Sequence, residues 1–456
     1  MTLENIVKLQ KEYALSGVTK DIHYRKEALE RLLESICDNE PAIYSALRAD
    51  LGKSEMEANV TEVSQVKSEI NMAINHLEQW SRPRRVRTPL ALFPAKSYVF
   101  KEPYGVCLII APWNYPVNLS LIPLVGAIAA GNCAVVKCSK KCINTARVVT
   151  SIINSTFDKR FVYAVEDALS YDEILSQDYD YIFFTGSERV GKTVMRFAAS
   201  KLIPVTLELG GKSPCIIGPD ADIDLAAKKI MWGKILNAGQ TCVAPDYVVL
   251  PAPLKEEFLV KAREHSNEMV RDPFNNENYP NIVNMHHFMR LTKFIMGEKE
   301  LLGGRFDDKQ LKIEPTLFPN ETFDSEIMKE EIFGPLLPII SYNDVYDVLD
   351  TISRRPKPLA CYIFSKDREF VDDTIERLAF GCCCVNDVIV HMGNPRLPFG
   401  GVGASGMGKY HGKASFDTFS NTKSALINRS GMDFDIKYPP YTDEKYERVK
   451  KGHFLE

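Results

Sequence analysis

The sequence predicts an α/β protein built around two sheets, each covered by helices. Three observations carry that expectation. From Gly105 onward, short runs rich in Val, Ile, Phe and Cys alternate with helical stretches, the texture of buried parallel strands and their crossovers. A second series of such runs begins near Thr206. The 456 residues exceed one ordinary domain and suggest two or three.

The elements follow in order. The opening MTLENIVKLQKEYALSG spaces Leu3, Ile6 and Leu9 as an exposed amphipathic helix does. ERLLESI and TEVSQVKSEINMAINHLEQW continue the helical periodicity to about residue 80. SRPRRVRTPLALFP breaks it with three prolines and four arginines, which reads as a solvated extended connector or an edge hairpin. GVCLII, CAVVKC and DYIFFTG are then the first strands, with LIPLVGAIAAG, NTARVVTSIIN and VGKTVMRFAASKL as helices between them. VTLEL, SPCIIG, DYVVLP, PLLPIIS, LACYIFS and CCCVND form the second strand series. Near the end, polar, Gly-rich FGGVGASGMGKYHGK gives way to FDTFSNTKSALI, whose alternation suits an arm that adds to another sheet.

Composition narrows the function. A net charge of −4 gives no support to nucleic-acid binding. The N-terminus lacks the apolar core of a signal peptide. The most apolar stretch, Leu119 to Ala130, is broken by Pro123 and Gly126, and is far short of the ~18 residues a membrane span needs. No integral membrane segment is expected. Eleven cysteines without a secretory signal imply free thiols in a reducing, cytoplasmic compartment. Cys138 and Cys142 are four apart, but no second Cys or His pair lies near them, so no metal site is expected.

Four short stretches carry chemistry. GSERVGKT, residues 186–193, fits the P-loop pattern and follows an apparent strand. Gly186 and Gly191 would let backbone N–H groups face a phosphate at a helix N-terminus. That geometry serves an NTPase, a dinucleotide diphosphate, or no ligand at all. VTLELGGKSP places Glu208 in an apolar strand before a Gly-Gly turn. Desolvation there would raise its pKa and make a usable general base, unless it is a satisfied core carboxylate. APWNYPVN holds Asn114 between prolines, where a rigid amide could donate to an oxyanion or merely close its own turn. GQTCVAPDY holds the lone Cys242, whose sulfur Gly239 and a tight backbone at Thr241 would expose.

APWNYP, FTGS, LELGGK, GQTC and EEIFGP occur in that order, and together they resemble the aldehyde dehydrogenase superfamily. PFGGVGASGMGKYHGKASFDTFS, KPLACYIFS, NDVIVH and the short N-terminus resemble its class 3 branch, which includes fatty and aromatic aldehyde dehydrogenases. The resemblance covers about residues 20–440. It implies an aldehyde dehydrogenase-like fold: a Rossmann-type cofactor domain (1–85 and 104–208), an α/β catalytic domain (209–392), and a small β oligomerisation arm from bridging segments 86–103 and 393–456. It implies Cys242 as nucleophile, Glu208 as base for the deacylating water, and Asn114 as oxyanion donor beside the Cys242 N–H. Lys137 would hold the adenosine ribose, and Gly186 and Ser187 the diphosphate. Glu331 and Phe333 would place the nicotinamide ribose and ring. Trp113, Ser139, Lys140 and Gly191 complete the expected NAD or NADP site, and Tyr115 and His411 the substrate side. The implied product is a carboxylic acid, since relatives that acylate coenzyme A lack a carboxylate at the Glu208 position. A homodimer is implied as well. A P-loop NTPase and a cofactor-independent cysteine thioesterase remain the alternatives.

The sequence departs from the family pattern in places. After Lys137 the family commonly has Pro-Ser-Glu; here the residues are Cys138, Ser139 and Lys140. Lysine removes the repulsion of a 2′-phosphate and adds attraction, so NADP should be tolerated or even preferred, unless Lys140 simply points to solvent. Residues 160–178 suggest a shortened loop on the cofactor domain. Strand alternation would set Cys383 on one face and Cys382 and Cys384 on the other, all as small buried side chains. His411 would line the substrate entrance or pack the arm, and Met392 would lie near the tunnel. His286 and His287 read as a solvated helix face. Nothing near Cys242 in sequence supplies a cation, so its activation should depend on bound cofactor and Glu208.

Overall fold

The computed structural model describes residues 1–166, 169–428, 431 and 433–452. Two six-stranded sheets dominate. In the first, Val106–Ile110 is central. Cys133–Lys137 and Val162–Ala164 lie on one side, and Tyr181–Thr185, Val205–Glu208 and Gly406–Met407 on the other. All these strands are parallel except Gly406–Met407. Val106–Ile110, Cys133–Lys137 and Tyr181–Thr185 are buried at every residue, as a sheet covered on both faces requires. The apolar run near Thr206 therefore completes this first sheet rather than opening the second series. Its register sets Glu208 beside Thr185.

Helices cover the sheet because their apolar stripes have nowhere else to go. The helix Asn118–Ala130 is apolar all round and buried from Leu119 onward. Its Gly126 lies where a Cβ would stand 2.8 Å from the Ser415 side chain and 3.0 Å from the Phe419 ring, so only glycine lets the C-terminal segment close over it. The first helix, Leu3–Leu15, is less exposed than its sequence suggests. Ile6, Val7 and Gln10 are buried, and the Gln10 amide donates to the carbonyls of Ala134 and Lys159 at 3.0 and 3.1 Å. Among the described residues, no helix is long and apolar enough to cross a membrane.

The second sheet runs Thr316–Phe318, Leu336–Tyr342, Tyr247–Pro251, Pro214–Ile217, Ala360–Phe364 and Cys382–Val385, all parallel. On its edge strand, Cys382 and Cys384 pack into one apolar cluster and Cys383 into the other, the alternation expected of a strand, although all three are half-buried. The Pro- and Arg-rich connector forms the hairpin Arg84–Val86 with Lys96–Pro103. Ser420–Ile427 pairs antiparallel along the whole of Lys96–Pro103, so the C-terminal arm does add to another sheet.

One buried ion pair fixes the loop after the central strand. Lys53 Nζ lies 2.6 Å from Glu62 Oε1, with both side chains wholly buried. Nζ also donates to the Asn114 carbonyl at 3.0 Å and sits 4.0 Å from the centre of the Tyr115 ring. Glu62 Oε2 accepts from the backbone N–H groups of Val117 and Asn118 at 2.8 and 3.3 Å. Removing one partner of such a pair strands the other charge in the core. Lys53→Met is expected to cost about 3–5 kcal/mol of unfolding free energy in urea titration; a loss below about 1 kcal/mol would show that the pair does not anchor the loop.

Candidate active site

In a doubly wound sheet, ligands bind at the carboxyl ends of the strands where the strand order reverses. Here the reversal falls between Val106–Ile110 and Tyr181–Thr185. Trp113 and Asn114 follow the first of these strands, and Gly186 and Ser187 the second. Lys137 and Glu208 are the last residues of their own strands. Sheet topology alone thus gathers six of the predicted site residues at one edge.

The cysteine arrives from the other sheet's side. After the helix Ile223–Ile235 the chain turns through three consecutive left-handed residues, Asn237 (φ 50°), Ala238 (φ 49°) and Gly239 (φ 71°). Alanine and asparagine there cost roughly 1–2 kcal/mol each, so something must hold the turn. Glu57 Oε1 accepts the Asn237 N–H at 2.8 Å. The Asn237 amide donates to the carbonyls of Asn114 and Gln240 at 2.9 and 3.1 Å. Gln240 in turn donates to the Asn237 and Asn281 carbonyls and accepts from the Val283 N–H, each at 3.0 Å. A Cβ on Gly239 would lie 2.3 Å from the Gly334 carbonyl oxygen, so glycine is required. Asn114, itself 3% exposed, donates through Nδ2 to the Gln240 carbonyl at 3.1 Å, two residues from Cys242. Its amide keeps a second hydrogen for another acceptor. The Tyr115 and Thr241 hydroxyls share a hydrogen bond of 2.6 Å.

A cavity of about 570 Å³ opens beside the turn, lined by Cys242, Glu208, Tyr115, Met392 and His411 among others. His411 is buried and stacks on Phe399 with ring centres 5.3 Å apart, so it both lines the cavity and packs the C-terminal segment. Burial, reinforced by the Glu331 and Glu208 carboxyls, pushes the Cys242 thiol well above its ordinary pKa; only its own backbone N–H opposes. No cation figures among these influences. Burial likewise raises Glu208 well above the carboxylate range, against the pull of Lys409. Both Glu208 oxygens are buried without a hydrogen-bond partner among the described residues, and Gly400 leaves room for one of them, 2.6 Å from where a Cβ would stand. Glu331 keeps some accessible surface but is crowded by protein. Burial and Asp246 push its pKa up to about 8, opposed by the Gly211 N–H, Lys212 and Arg290.

The remaining predicted residues border the strand ends. Phe333, at φ 51°, meets the Trp113 ring edge-on at 5.3 Å. Lys137 is buried, which lowers its pKa, and its ammonium donates to the Cys138 carbonyl at 3.3 Å. Ser139 is half-buried and Lys140 exposed. Ser187 caps the helix Glu188–Lys201, but its hydroxyl makes no capping bond. The Thr185 hydroxyl just before it is buried and unpartnered among the described residues. Cβ atoms on Gly186 and Gly191 would fall 2.7 Å from Phe184 and 2.8 Å from Leu209. A strand, a glycine turn and open helix N–H groups make a fitting seat for a diphosphate.

Two sequence readings are overturned. The helix begins at Glu188, leaving two residues of loop, and Lys192 lies one turn into it, exposed and paired with Glu188 at 2.6 Å. It cannot reach round a nucleotide's terminal phosphates, so the P-loop reading fails. His287 is not a solvated helix face. It packs 5.2 Å from the Trp113 ring and lies 2.9 Å from Lys141 Nζ, and burial with that charge pushes its pKa down to about 4. His286 is exposed, as expected.

The aldehyde dehydrogenase family profile matches residues 8–425. The chain belongs to the aldehyde dehydrogenase family. It is 45% identical over 436 residues to 4,4'-diaponeurosporen-aldehyde dehydrogenase of Staphylococcus aureus, covering 95% of each chain. It is 40% identical to the aldehyde dehydrogenase family 3 comG protein of Dictyostelium discoideum, over 97% of this chain and 95% of that one. The solved substrate-bound state of Staphylococcus aureus AldH superposes with a TM-score of 0.96 over 99% of both chains at 43% identity. Class 3 members dominate these relatives.

Sequence reasoning missed the residues that hold the family's motifs in place. Lys212 pairs with Asp246 and donates to the carbonyls of Ile327 and Glu330 at 3.0 and 2.9 Å. Asp246 accepts the Ile332 N–H at 2.9 Å, so the Glu331 loop is clamped from both sides. Both residues lie inside quoted motifs, LELGGK and GQTCVAPDY, and were legible as charges in apolar surroundings. A thiol held protonated sets the reactivity of the aldehyde dehydrogenase at rest. Iodoacetamide labelling of Cys242, followed by peptide mass spectrometry, should be slower than that of free cysteine at pH 8 and still rising above pH 9, where a free thiol of pKa about 8.5 levels off. A plateau below pH 8 would contradict it.

Proposed function

We propose that this enzyme oxidises aldehydes to carboxylic acids with NAD or NADP, through a thioester on Cys242 that water hydrolyses. One observation supports this most: Cys242 and Glu208, brought from different sheets, line a single cavity at the strand ends that also offer the Gly186–Ser187 seat. Once Glu208 has taken the thiol proton and passed it to solvent, the Cys242 thiolate attacks the carbonyl carbon and forms a thiohemiacetal. The spare Asn114 amide hydrogen and the Cys242 N–H donate to the developing oxyanion, at ~3 kcal/mol per donor in comparable sites. The chemistry that a bound nicotinamide supplies is hydride acceptance, which leaves Cys242 as a thioester. Glu208, with its raised pKa, takes a proton from water, and the water oxygen attacks the thioester carbon and releases the thiolate. This carboxylate favours hydrolysis over transfer to coenzyme A.

The residues present fit a nicotinamide dinucleotide. Gly186, Gly191, Ser187 and the helix N-terminus would take the diphosphate, and Lys137 the adenosine ribose. Trp113, Glu331 and Phe333 would shape the nicotinamide end. Ser139 and exposed Lys140 would face the 2′ position, which favours acceptance of NADP. The apolar share of the cavity wall, with Leu119, Ile122, Trp232 and Phe399, suits medium- to long-chain or aromatic aldehydes, with Tyr115 and His411 on the substrate side. The two six-stranded sheets and the three-stranded sheet support a division into a cofactor domain, a catalytic domain and bridging segments, although Gly406–Met407 of the last segment joins the first sheet. A homodimer is supported by Ser420–Ile427, an eight-residue edge strand with Leu426 and Ile427 more than half exposed, since such an edge invites a partner strand. Eleven free cysteines suit a reducing, cytoplasmic setting.

The test is NAD(P)H absorbance on benzaldehyde and on alkanals from hexanal to hexadecanal, with Cys242→Ala as control. Wild type should reduce cofactor and the variant should not; equal rates would refute the mechanism. In the same assay, an NAD preference above about 30-fold in kcat/KM, ~2 kcal/mol, would refute the reading of Lys140.

A further inference from the structure

The charges along the cavity are one-sided. Glu57, Glu69 and Glu208 line it, and among the described residues no lysine or arginine does. Glu57 is committed to the Asn237 N–H, and Glu208 is the expected base. Glu69 has no part in the mechanism above. It lies on the helix Ser64–Ser81, which, with the turn before it, also brings Thr61, Gln65 and Ser68 to the wall. One wall of a mostly apolar cavity is therefore polar.

Glu69 is 4% exposed. Its Oε1 accepts both the Gly412 N–H at 2.6 Å and the Ser415 hydroxyl at 3.1 Å. Its Oε2 accepts from no described residue. Unlike the Glu208 oxygens it is not fully enclosed, so it opens to the cavity, where water or a donor on a bound substrate can reach it. If the side chain served only to hold the Gly412 turn, an amide would do as well, without the cost of burying a carboxyl. Burial pushes its pKa up to about 7, opposed by Gly412 and Ser415, so the group can carry charge at neutral pH.

We propose that Glu69 determines substrate choice: its open carboxyl oxygen accepts a hydrogen bond from a hydroxyl on the aldehyde's chain, and its own negative charge turns away aldehydes that end in a carboxylate. The preferred substrates are neutral hydroxyalkanals. The inference rests on the proposed aldehyde oxidation at Cys242. It adds a polar recognition point to a cavity whose apolar lining alone would choose by length.

Glu69→Gln provides the test, because the amide oxygen must still take the Gly412 N–H, which turns a donating NH2 toward the position of Oε2. Three kinds of medium-chain aldehyde are compared: alkanals, the same chains with a hydroxyl at successive carbons, and chains of equal length ending in carboxylate. In wild type, at least one hydroxylated isomer should exceed its alkanal about tenfold in kcat/KM, and the carboxylate chain should fall about tenfold below it. In Glu69→Gln both ratios should move toward one, through KM rather than kcat. A wild type without the hydroxyl preference overturns the proposal, and needs no variant to do so. Ratios unchanged in Glu69→Gln, with all substrates slowed alike, also overturn it and leave Glu69 a structural residue. In either case continued alkanal turnover leaves the aldehyde oxidation standing. Failure of wild type on every aldehyde removes both.

Discussion

The site depends on one buried ion pair, formed between the loop at Lys53 and the helical stretch that follows it. Lys53 and Glu62 are wholly buried and hold each other at 2.6 Å, and between them they engage the backbone at Asn114, Val117 and Asn118. Between the two, the same stretch supplies Glu57 to the cysteine turn, and beyond them Glu69 to the C-terminal segment. The Asn114 carbonyl accepts from both Lys53 and Asn237. A single carbonyl thus ties the N-terminal helices, the first sheet and the cysteine loop. The strain of left-handed Asn237 and Ala238 is offset by these bonds, since neither residue would keep that backbone alone.

This rigid frame surrounds groups that hold on to their protons. Cys242 and Glu208 are both shifted upward, chiefly by burial, and the Glu208 carboxyl adds to the shift of the thiol. A thiol without a neighbouring cation is a poor nucleophile at rest and is shielded from oxidation. Its neighbour Glu208, raised above the ordinary carboxylate range by burial, is a stronger base than a free carboxylate once it has lost its proton. The glycines at 239 and 400 serve this arrangement by leaving no side chain where the Gly334 carbonyl or the Glu208 carboxyl sits. Their role is steric as much as conformational.

Much of this was legible in the sequence, for local reasons. Apolar runs marked the strands, and glycine turns after them marked the ends where a parallel sheet binds ligands. Cys242, Glu208 and Asn114 stood out by motif order. What stayed hidden was long-range. The run at Val205–Glu208 looks alike whichever sheet it joins, so its place was misread. His287 was judged by its own helix, whereas Trp113 and Lys141, about 150 residues earlier, bury it. GSERVGKT matched a phosphate loop in letters, but the helix starts too early for one. Lys53 and Glu62 were unremarkable charges in an amphipathic stretch, and nothing in an Asn-Ala pair announces a left-handed turn.

The central claim is that aldehyde carbon passes through a thioester on Cys242 which Glu208 helps water to cleave. Rapid-quench mass spectrometry of Glu208→Gln with an alkanal and cofactor tests it most directly. The account predicts one acyl group on the Cys242 peptide, an initial burst of reduced cofactor near one equivalent per site, and a slow steady state thereafter. A variant that turns over at the wild-type rate, or that carries its acyl group on another residue, would contradict it.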